Sequence, residues 1–346
     1  MNSLISIQIL RAVAAWLVVY HHYMSTLHND ERYTQLAIFG VCIFFVISGF
    51  VMFHSLSNKA CSAKEFFVRR LIRIVPAYWF YTFLTVLLSL IYAKEFLYDN
   101  WNLTSLIASL FFIGAKVPYG LVYFPLLVVG WTLIFEIFFY VLLSLCIWIF
   151  GRFSFLACIF ALIALPLVWD KQWICALLIS NKVLWWFVYG IALGYVYIKL
   201  KNVSHLLLYF VGVALLILDA TLLLHGQKFD KHLQVVGGLN PFLAFLLIGS
   251  GLCFEPVLSK IRINAFRILR YLGDISYSTY LSHTLIINIC LHYIGNLNRM
   301  REEILLFLIS LTILAISHLT YQYIEIGPLV NIMKKKYAGR IDGLPT

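Results

Sequence analysis

The first apolar stretch of the chain, residues 5–24, reads ISIQILRAVAAWLVVYHHYM. Its length and composition predict a membrane-spanning helix, yet it carries two ionisable residues, Arg11 and His22. Eleven helical positions bring the two side chains to within roughly 20° of one face and separate them by about 16 Å along the axis. Ionisable side chains in a spanning helix cost about 2.5–3.5 kcal/mol each, and most face a protein interior or a wet cavity. The pair therefore indicates a polar site, with snorkelling to the two membrane surfaces as the structural alternative.

The rest of the chain has the composition of an integral membrane protein. Of its 346 residues 62% are hydrophobic and 12% charged, and the mean hydropathy is +0.91. We therefore expect an all-α, polytopic protein with one transmembrane domain over residues 1–346 and about ten spanning helices. The predicted spans lie near 4–25, 36–56, 75–93, 124–149, 153–169, 183–199, 204–224, 237–257, 271–293 and 304–324.

Charge predicts the orientation of these spans. With the N-terminus placed in the cytoplasm, 17 of the 26 Lys and Arg residues fall on the inner side, so the positive-inside rule predicts cytoplasmic N- and C-termini. The net charge of +11 is thus explained by topology, and we expect no nucleic-acid partner. The seven cysteines show no CxxC pair and no metal-ligand spacing, so we expect no metal.

A basic segment follows the second predicted span. Residues 64–76 read KEFFVRRLIRIVP, and we interpret them as a cytoplasmic loop that ends where Pro76 begins the third helix. Arg73 lies four residues after Arg69 and three after Arg70, so the guanidinium groups can converge on one side of a helical turn. Guanidinium pairs with phosphate through bidentate hydrogen bonds. The alternative is a topogenic loop against anionic lipid.

Two later spans also carry polar side chains. Glu136, within GWTLIFEIFFY at 130–140, has no partner one turn away and must reach another helix or a polar cavity. In GDISYSTYLSH at 273–283, a polar stripe runs along one slowly drifting face of the helix. Its members are Asp274, Tyr277, Tyr280 and His283.

Six separated pieces of the chain match one pattern. They are Arg11 with His22, the Phe-Phe-x-x-Ser-Gly element from Phe44 to Gly49 with its small Ser48–Gly49 pair, Arg70 and Arg73 before Pro76, Trp131 to Tyr140, Ser276 to His283, and Glu325 before Pro328. In this order they resemble the membrane-bound acyltransferase-3 family, and most closely its exopolysaccharide and O-antigen acetyltransferases. Cys42 departs from the acidic or polar residue of many members, and the Glu325–Pro328 spacing is loosened. From its size alone, the Ser48–Gly49 pair predicts a close approach to a neighbouring helix. The chain ends at Thr346, so we expect no fused SGNH-type domain.

The resemblance implies acyl transfer from cytoplasmic acyl-CoA, most often acetyl-CoA, to a hydroxyl of an exported polysaccharide at the outer face of a bacterial inner membrane. His22 would be the general base or carry the acyl group as an acyl-imidazole, and Arg11 would hold the thioester or its oxyanion. Glu136 would orient His22 or a substrate hydroxyl. The donor-binding residues would be Arg69, Arg70 and Arg73. The supporting residues would be Tyr277, Tyr280, His283, Trp131 and Ser48.

Other functions are compatible with many helices and intramembrane charge. A transporter or flippase for lipid-linked sugars would show no acyl-CoA dependence. A glycan polymerase would be expected to have a large outer loop with arginines. The longest outer stretch, 94–123, has no arginine, and its basic residues are Lys94 and Lys116. A binding protein without chemistry is the remaining alternative. The expected partners are the bilayer and a glycan or lipid-linked saccharide.

Overall fold

The structure, a computed structural model, describes residues 4–28, 33–58, 61–91, 102–116, 123–168, 182–200, 203–226, 239–261, 263–292 and 299–337. Almost all of this chain is α-helical. The helices are α1 (Ile5–His28), α2 (Thr34–Asn58), α3 (Ala63–Ile91), α4 (Leu103–Leu110), α5 (Trp131–Phe150), α6 (Ser154–Val168), α7 (Leu184–Lys199), α8 (His205–Gly226), α9 (Leu239–Leu258), α10 (Asn264–Asp274), α11 (Ser276–His292), α12 (Arg299–Thr320) and α13 (Pro328–Tyr337).

Short irregular elements complete the described chain. Two two-residue strands, β1 (Ala115–Lys116) and β2 (Tyr123–Phe124), pair antiparallel, with Ala115 opposite Phe124. One 3₁₀ turn, Val128–Gly130, leads into α5, and a π-helical turn, Tyr321–Glu325, follows α12.

The prediction of an all-α, polytopic membrane protein is confirmed. In the part of the chain that the structure describes, seven helical segments are long and apolar enough to cross a membrane, and one of them, Val128–Leu167, contains α5 and nearly all of α6. Ten crossings and cytoplasmic termini remain predictions. Two short apolar stretches lie between the predicted spans: residues 103–114 form α4 and a turn, whereas residues 173–179 lie outside the described residues.

The predicted loop before Pro76 is wrong. Helix α3 begins at Ala63, so the three arginines are helical and Pro76 lies inside the helix instead of at its start. Phe66 and Ile72 are buried on the inward face, and this packing favours a continuous helix. A proline costs one backbone hydrogen bond, but neighbouring helices make it tolerable in a membrane helix. The tyrosine hydroxyl of Tyr277 donates to the carbonyl oxygen of Ile74 near this point, at 2.9 Å.

Two other predicted boundaries also differ. The span predicted from residue 124 starts as a helix only at Trp131, because β2 and the 3₁₀ turn occupy its beginning. The span predicted over 271–293 is interrupted at Ile275, where α10 ends and α11 begins. The Ser276 hydroxyl donates to the carbonyl oxygen of Gly273 at this junction, at 2.7 Å. Such a serine-to-backbone bond competes with the regular helical pattern.

Helix α2 lies at the centre of the bundle, in contact with α1, α5, α7 and α9. It crosses α7 at Gly49 and Gly190. A Cβ atom on Gly190 would lie 2.0 Å from the carbonyl oxygen of Val46, and one on Gly49 would lie 2.2 Å from that of Phe187. The backbones therefore touch directly, which confirms the close helix approach predicted from the Ser48–Gly49 pair.

The beginning of α1 is held by a carboxylate from α9. Glu255 accepts hydrogen bonds from the backbone N–H groups of Ile5 (2.7 Å) and Ser6 (2.8 Å) and from the Ser6 hydroxyl (2.5 Å). The first N–H groups of a helix lack intrahelical partners, and a negative charge there is favourable. Glu255 is buried, so this contact fixes where α1 starts and hence the height of Arg11 in the bundle.

Candidate active site

A cavity of about 270 Å³ opens between α1, α2, α3, α5 and α11. Apolar and aromatic side chains form much of its wall. The polar side chains that line it are Gln8, Arg11, Ser48, His54, Ser55, Arg70, Arg73, Thr132, Glu136, Tyr140, Tyr277 and Tyr280. Seven of the predicted site residues are therefore gathered around one space, although they come from five helices.

Four predicted residues lie outside the cavity wall: Arg69, Trp131, His22 and His283. Arg69 forms an ion pair with Glu65 one turn earlier on α3. Trp131 is the first residue of α5, and its ring packs edge-on against Phe135 at 6.0 Å between ring centroids. The two histidines form a separate cluster next to the cavity.

Glu136 has the partners that its position in an apolar helix requires. Its Oε1 atom accepts one hydrogen bond from the Ser48 hydroxyl (3.0 Å) and one from the Tyr140 hydroxyl (2.5 Å). The first donor lies on α2 and the second one turn along α5. The prediction that this carboxylate reaches another helix or a polar cavity is confirmed. The prediction that it has no partner one turn away is wrong, because Tyr140 is such a partner. These recorded bonds do not connect Glu136 to His22.

Two arginines of α3 face the carboxylate side of the cavity. Arg70 interacts electrostatically with Tyr140, Arg73 and Glu136, and its guanidinium carbon lies 5.6 Å from the centre of the Phe66 ring. The Nε atom of Arg70 is buried and has no hydrogen-bond partner among the described residues. Arg73 is exposed, so the arginine end of the cavity lies next to the protein surface.

Arg11 is surrounded by charges of both signs. Its Nη1 atom donates to Oε1 of Gln8 at 3.4 Å, and Nε2 of Gln8 donates to Oδ1 of Asp274 at 2.8 Å. The guanidinium also interacts electrostatically with Glu325, Asp274 and Glu136 and is repelled by Arg73. The balance of carboxylates explains how a cation is accommodated within the bundle.

His22 and His283 form a histidine pair beside the cavity. Their ring centroids are 5.1 Å apart, and the ring of His21 lies 5.0 Å from that of His22 on the other side. His283 is completely buried, and its ring nitrogens lie near the backbone of Thr279 and Tyr280 without a hydrogen bond of normal geometry to a described residue. Histidine nitrogens without partners inside a bundle are costly, which makes this pair a candidate for interaction with a substrate.

Tyr280 contacts both the cavity and the histidine pair. Its ring lines the cavity and lies 5.8 Å from the ring of His283. Its hydroxyl donates to the carbonyl oxygen of Val129 and contacts the hydroxyl of Thr132, both at 3.0 Å. Phe44 packs edge-on against it at 5.7 Å. We call Tyr280, Val129, Thr132 and Phe44 the Tyr280 boundary.

Sequence reasoning missed the roles of three polar side chains. Gln8 links Arg11 to α10, Glu255 caps α1, and Glu325 accepts a hydrogen bond from Ser278. For Gln8 and Glu255 the available signal is a polar residue inside an apolar helix, which requires a partner. Among the described residues, no group of three His, Cys, Asp or Glu side chains is placed to hold a metal ion.

The fold and site define a class of protein: a multi-pass membrane protein with a charged, partly enclosed cavity inside its helical bundle. Residues 4–319 match the family profile described as "Acyltransferase domain", so the chain belongs to the acyltransferase-3 family, as its motifs predict. It is also similar to the "Exopolysaccharide production protein ExoZ" of Rhizobium meliloti (strain 1021), with 43% identity over 103 residues. That similarity covers 29% of this chain and 31% of the relative. No solved structure matches the chain.

Proposed function

We propose that the protein transfers an acetyl group from acetyl-CoA to a hydroxyl of an exported polysaccharide. The observation that carries the proposal is the cavity in which Arg70, Arg73, Arg11 and Glu136 meet, in a chain of the acyltransferase-3 family. The similarity to an exopolysaccharide production protein supports a glycan acceptor. We propose the bacterial cytoplasmic membrane as the location, with both termini in the cytoplasm.

The donor would enter at the arginine end of the cavity. Coenzyme A carries three phosphate groups, and guanidinium groups bind phosphate through paired hydrogen bonds. Arg73 is exposed, and the Nε atom of Arg70 has no hydrogen-bond partner among the described residues, so both have capacity for a ligand. Drug-sized ligands fill about 300–1,000 Å³. A cavity of about 270 Å³ thus suits the thioester end of the donor, with the nucleotide end remaining at the surface.

In the proposed reaction, His22 takes the proton of the acceptor hydroxyl while the hydroxyl oxygen bonds to the thioester carbonyl carbon. Arg11 stabilises the tetrahedral oxyanion. When the oxyanion collapses, the carbon–sulfur bond breaks and the CoA thiolate receives the proton from the imidazolium. Tyr280 lines the cavity and its ring lies beside that of His283, so we propose that the thioester comes close to Tyr280 when it meets His22.

A second route to the same product uses His22 as the nucleophile. The imidazole then displaces the CoA thiolate to form an acyl-imidazole, which the glycan hydroxyl attacks in a second step. Label from [¹⁴C]acetyl-CoA retained on the purified protein without acceptor would support it.

The test of the proposal is acetyl transfer by the purified protein in nanodiscs, with [¹⁴C]acetyl-CoA and the polysaccharide of the source cell. We expect labelled polysaccharide and free CoA in equal amounts. His22→Ala should lower the rate by about 10²–10⁴-fold, as for loss of a general base. His21→Ala is the matched control and should retain the rate. Glycan export without consumption of acetyl-CoA would instead support the transporter alternative.

A further inference from the structure

We infer that Gln8 and Asp274 are positioning residues, which hold the Arg11 guanidinium in the cavity through a hydrogen-bond relay from α10 to α1. The inference rests on the proposed function, because it assumes that Arg11 acts on the thioester or its oxyanion. Gln8 lines the same cavity as Arg11 and precedes it by one helical turn. Asp274 is the last residue of α10, which packs along α1.

The relay depends on the chemistry of an amide side chain. The side-chain carbonyl oxygen of Gln8, Oε1, accepts from Nη1 of Arg11 at 3.4 Å. The side-chain NH₂ group of Gln8 donates to Oδ1 of Asp274 at 2.8 Å. An amide offers an acceptor and two donors, whereas a carboxylate only accepts and an apolar side chain does neither. Gln8 is therefore suited to join a cation on one side to an anion on the other. Replacement by glutamate would set two carboxylates against each other.

Backbone packing fixes the relay in space. A Cβ atom on Gly273 would lie 2.1 Å from the backbone carbonyl oxygen of Gln8, so α10 meets the backbone of α1 directly at this point. The side chain of Gln8 is only 6% exposed, which leaves little room for another rotamer. Asp274 and Gln8 are consequently brought together by the helices themselves. Gln8, held in this way, then fixes the position of the Arg11 guanidinium through their hydrogen bond.

The relay also selects one of several carboxylates for Arg11. Glu325, Asp274 and Glu136 all attract this guanidinium, and Glu136 and Glu325 lie on elements other than α10. Without Gln8 the side chain would be free to turn towards Glu136 or Glu325. A shift of about 1 Å in a group that acts on the reacting atoms costs about 10²-fold in rate. The donor phosphates contact other residues in our proposal, so the loss should appear in kcat and leave the KM for acetyl-CoA unchanged.

The experiment is a reversal of the donor and acceptor in the relay. Gln8→Glu should lower kcat about 10²-fold because of the repulsion with Asp274. Asp274→Asn should have a smaller effect, since the asparagine carbonyl still accepts from Gln8. In the double variant Gln8→Glu/Asp274→Asn, the introduced amide donates to the introduced carboxylate, and the relay is restored in the opposite direction. We expect kcat to recover to within about threefold of the original protein, a coupling of the size seen between directly contacting residues.

Recovery in the double variant is the outcome that a merely structural role does not produce, because two independent structural defects would add. Gln35→Glu is the matched control: this glutamine of α2 accepts from Asn240 in an exposed position, and its change should leave kcat unaltered. If Gln8→Glu fails to accumulate in the membrane, Gln8→Met removes the relay without adding charge and should show the same loss of kcat.

The outcomes separate the two proposals. Absence of acetyl-CoA consumption by the unaltered protein would refute the proposed function. A second case is that the unaltered protein is active while Gln8→Met has a normal kcat or the double variant shows no recovery. Either result would overturn the relay and leave the proposed function standing. A rise in KM without a fall in kcat would also overturn it, because Gln8 would then contribute to donor binding and not to the position of Arg11.

Discussion

The contact between α2 and α7 supports a quantitative prediction for Gly190→Ala. The added Cβ atom would lie 2.0 Å from the carbonyl oxygen of Val46 and 2.8 Å from the Cα atom of Gly49. Since Cβ atoms do not approach other heavy atoms within 3.0 Å, the two helices must separate by about 1 Å at this crossing. The neighbours are backbone atoms of a helix at the centre of the bundle, so rotation of a side chain cannot relieve the overlap.

Overpacking of a filled core costs about 1–3 kcal/mol, and we place Gly190→Ala at the upper end of that range because the clash involves backbone. A loss of about 3 kcal/mol lowers the ratio of folded to unfolded protein roughly 100-fold. The separation would also move Ser48, which precedes Gly49, away from the Glu136 carboxylate. Activity should therefore fall together with stability.

The measurement is the free energy of unfolding in mixed micelles, by titration with sodium dodecyl sulfate. Gly249→Ala on α9 is the matched control, since its Cβ atom would meet only Cδ1 atoms of Leu193 and Leu215, at 3.6 Å each. Both changes gain the same helix propensity, up to about 1 kcal/mol, so their difference isolates the clash. Equal stability of the two variants would refute the direct backbone contact at Gly190.

Three further predictions concern hydrogen bonds around the site. Glu255→Gln leaves one backbone N–H group at the start of α1 without its acceptor and should lower the free energy of unfolding by about 1–3 kcal/mol in the same titration. Tyr140→Phe and Ser48→Ala each remove one donor to Glu136 and should each lower kcat about tenfold in the acetyl-transfer assay. The double variant should lose less than the product of the two single losses, whereas a loss equal to that product would show that the two donors act independently. Ser109→Ala leaves a buried backbone N–H group after β2 unpaired and should cost about 1–3 kcal/mol, measured against Ser259→Ala, whose exposed hydroxyl donates to the carbonyl oxygen of Pro256.

Features that depend on local periodicity were predictable from the sequence. The position of Arg11 and His22 on one helix follows from residue spacing, and the close approach at Ser48 and Gly49 follows from side-chain size. The need of Glu136 for a partner follows from the cost of an unpaired carboxylate in a membrane. These inferences require only the geometry of one helix and the properties of the bilayer.

Features that depend on the choice of partner were not predictable. Gln8 and Asp274 are 266 residues apart in the chain, and nothing in their local sequence pairs them. The helical state of the arginine segment before Pro76 was also missed, because local rules place a proline at the beginning of a helix. Packing of Phe66 and Ile72 against the bundle overrides that preference. A role for Glu136 in orienting His22 or a substrate hydroxyl stays a prediction, and the two partners of its Oε1 atom, Ser48 and Tyr140, could not be chosen from local sequence.

The cap that Glu255 places on α1 has a consequence for biosynthesis. Ser6 is among the first residues to leave the ribosome, and its partner is made 249 residues later, about 12–50 s afterwards at ordinary rates of synthesis. Asp274, which anchors the relay to Arg11, follows later still. Until then α1 lies in the translocon or the lipid, and Arg11 lacks the contacts that position it. The contacts that position Arg11 can therefore form only after α9 and α10 have been made.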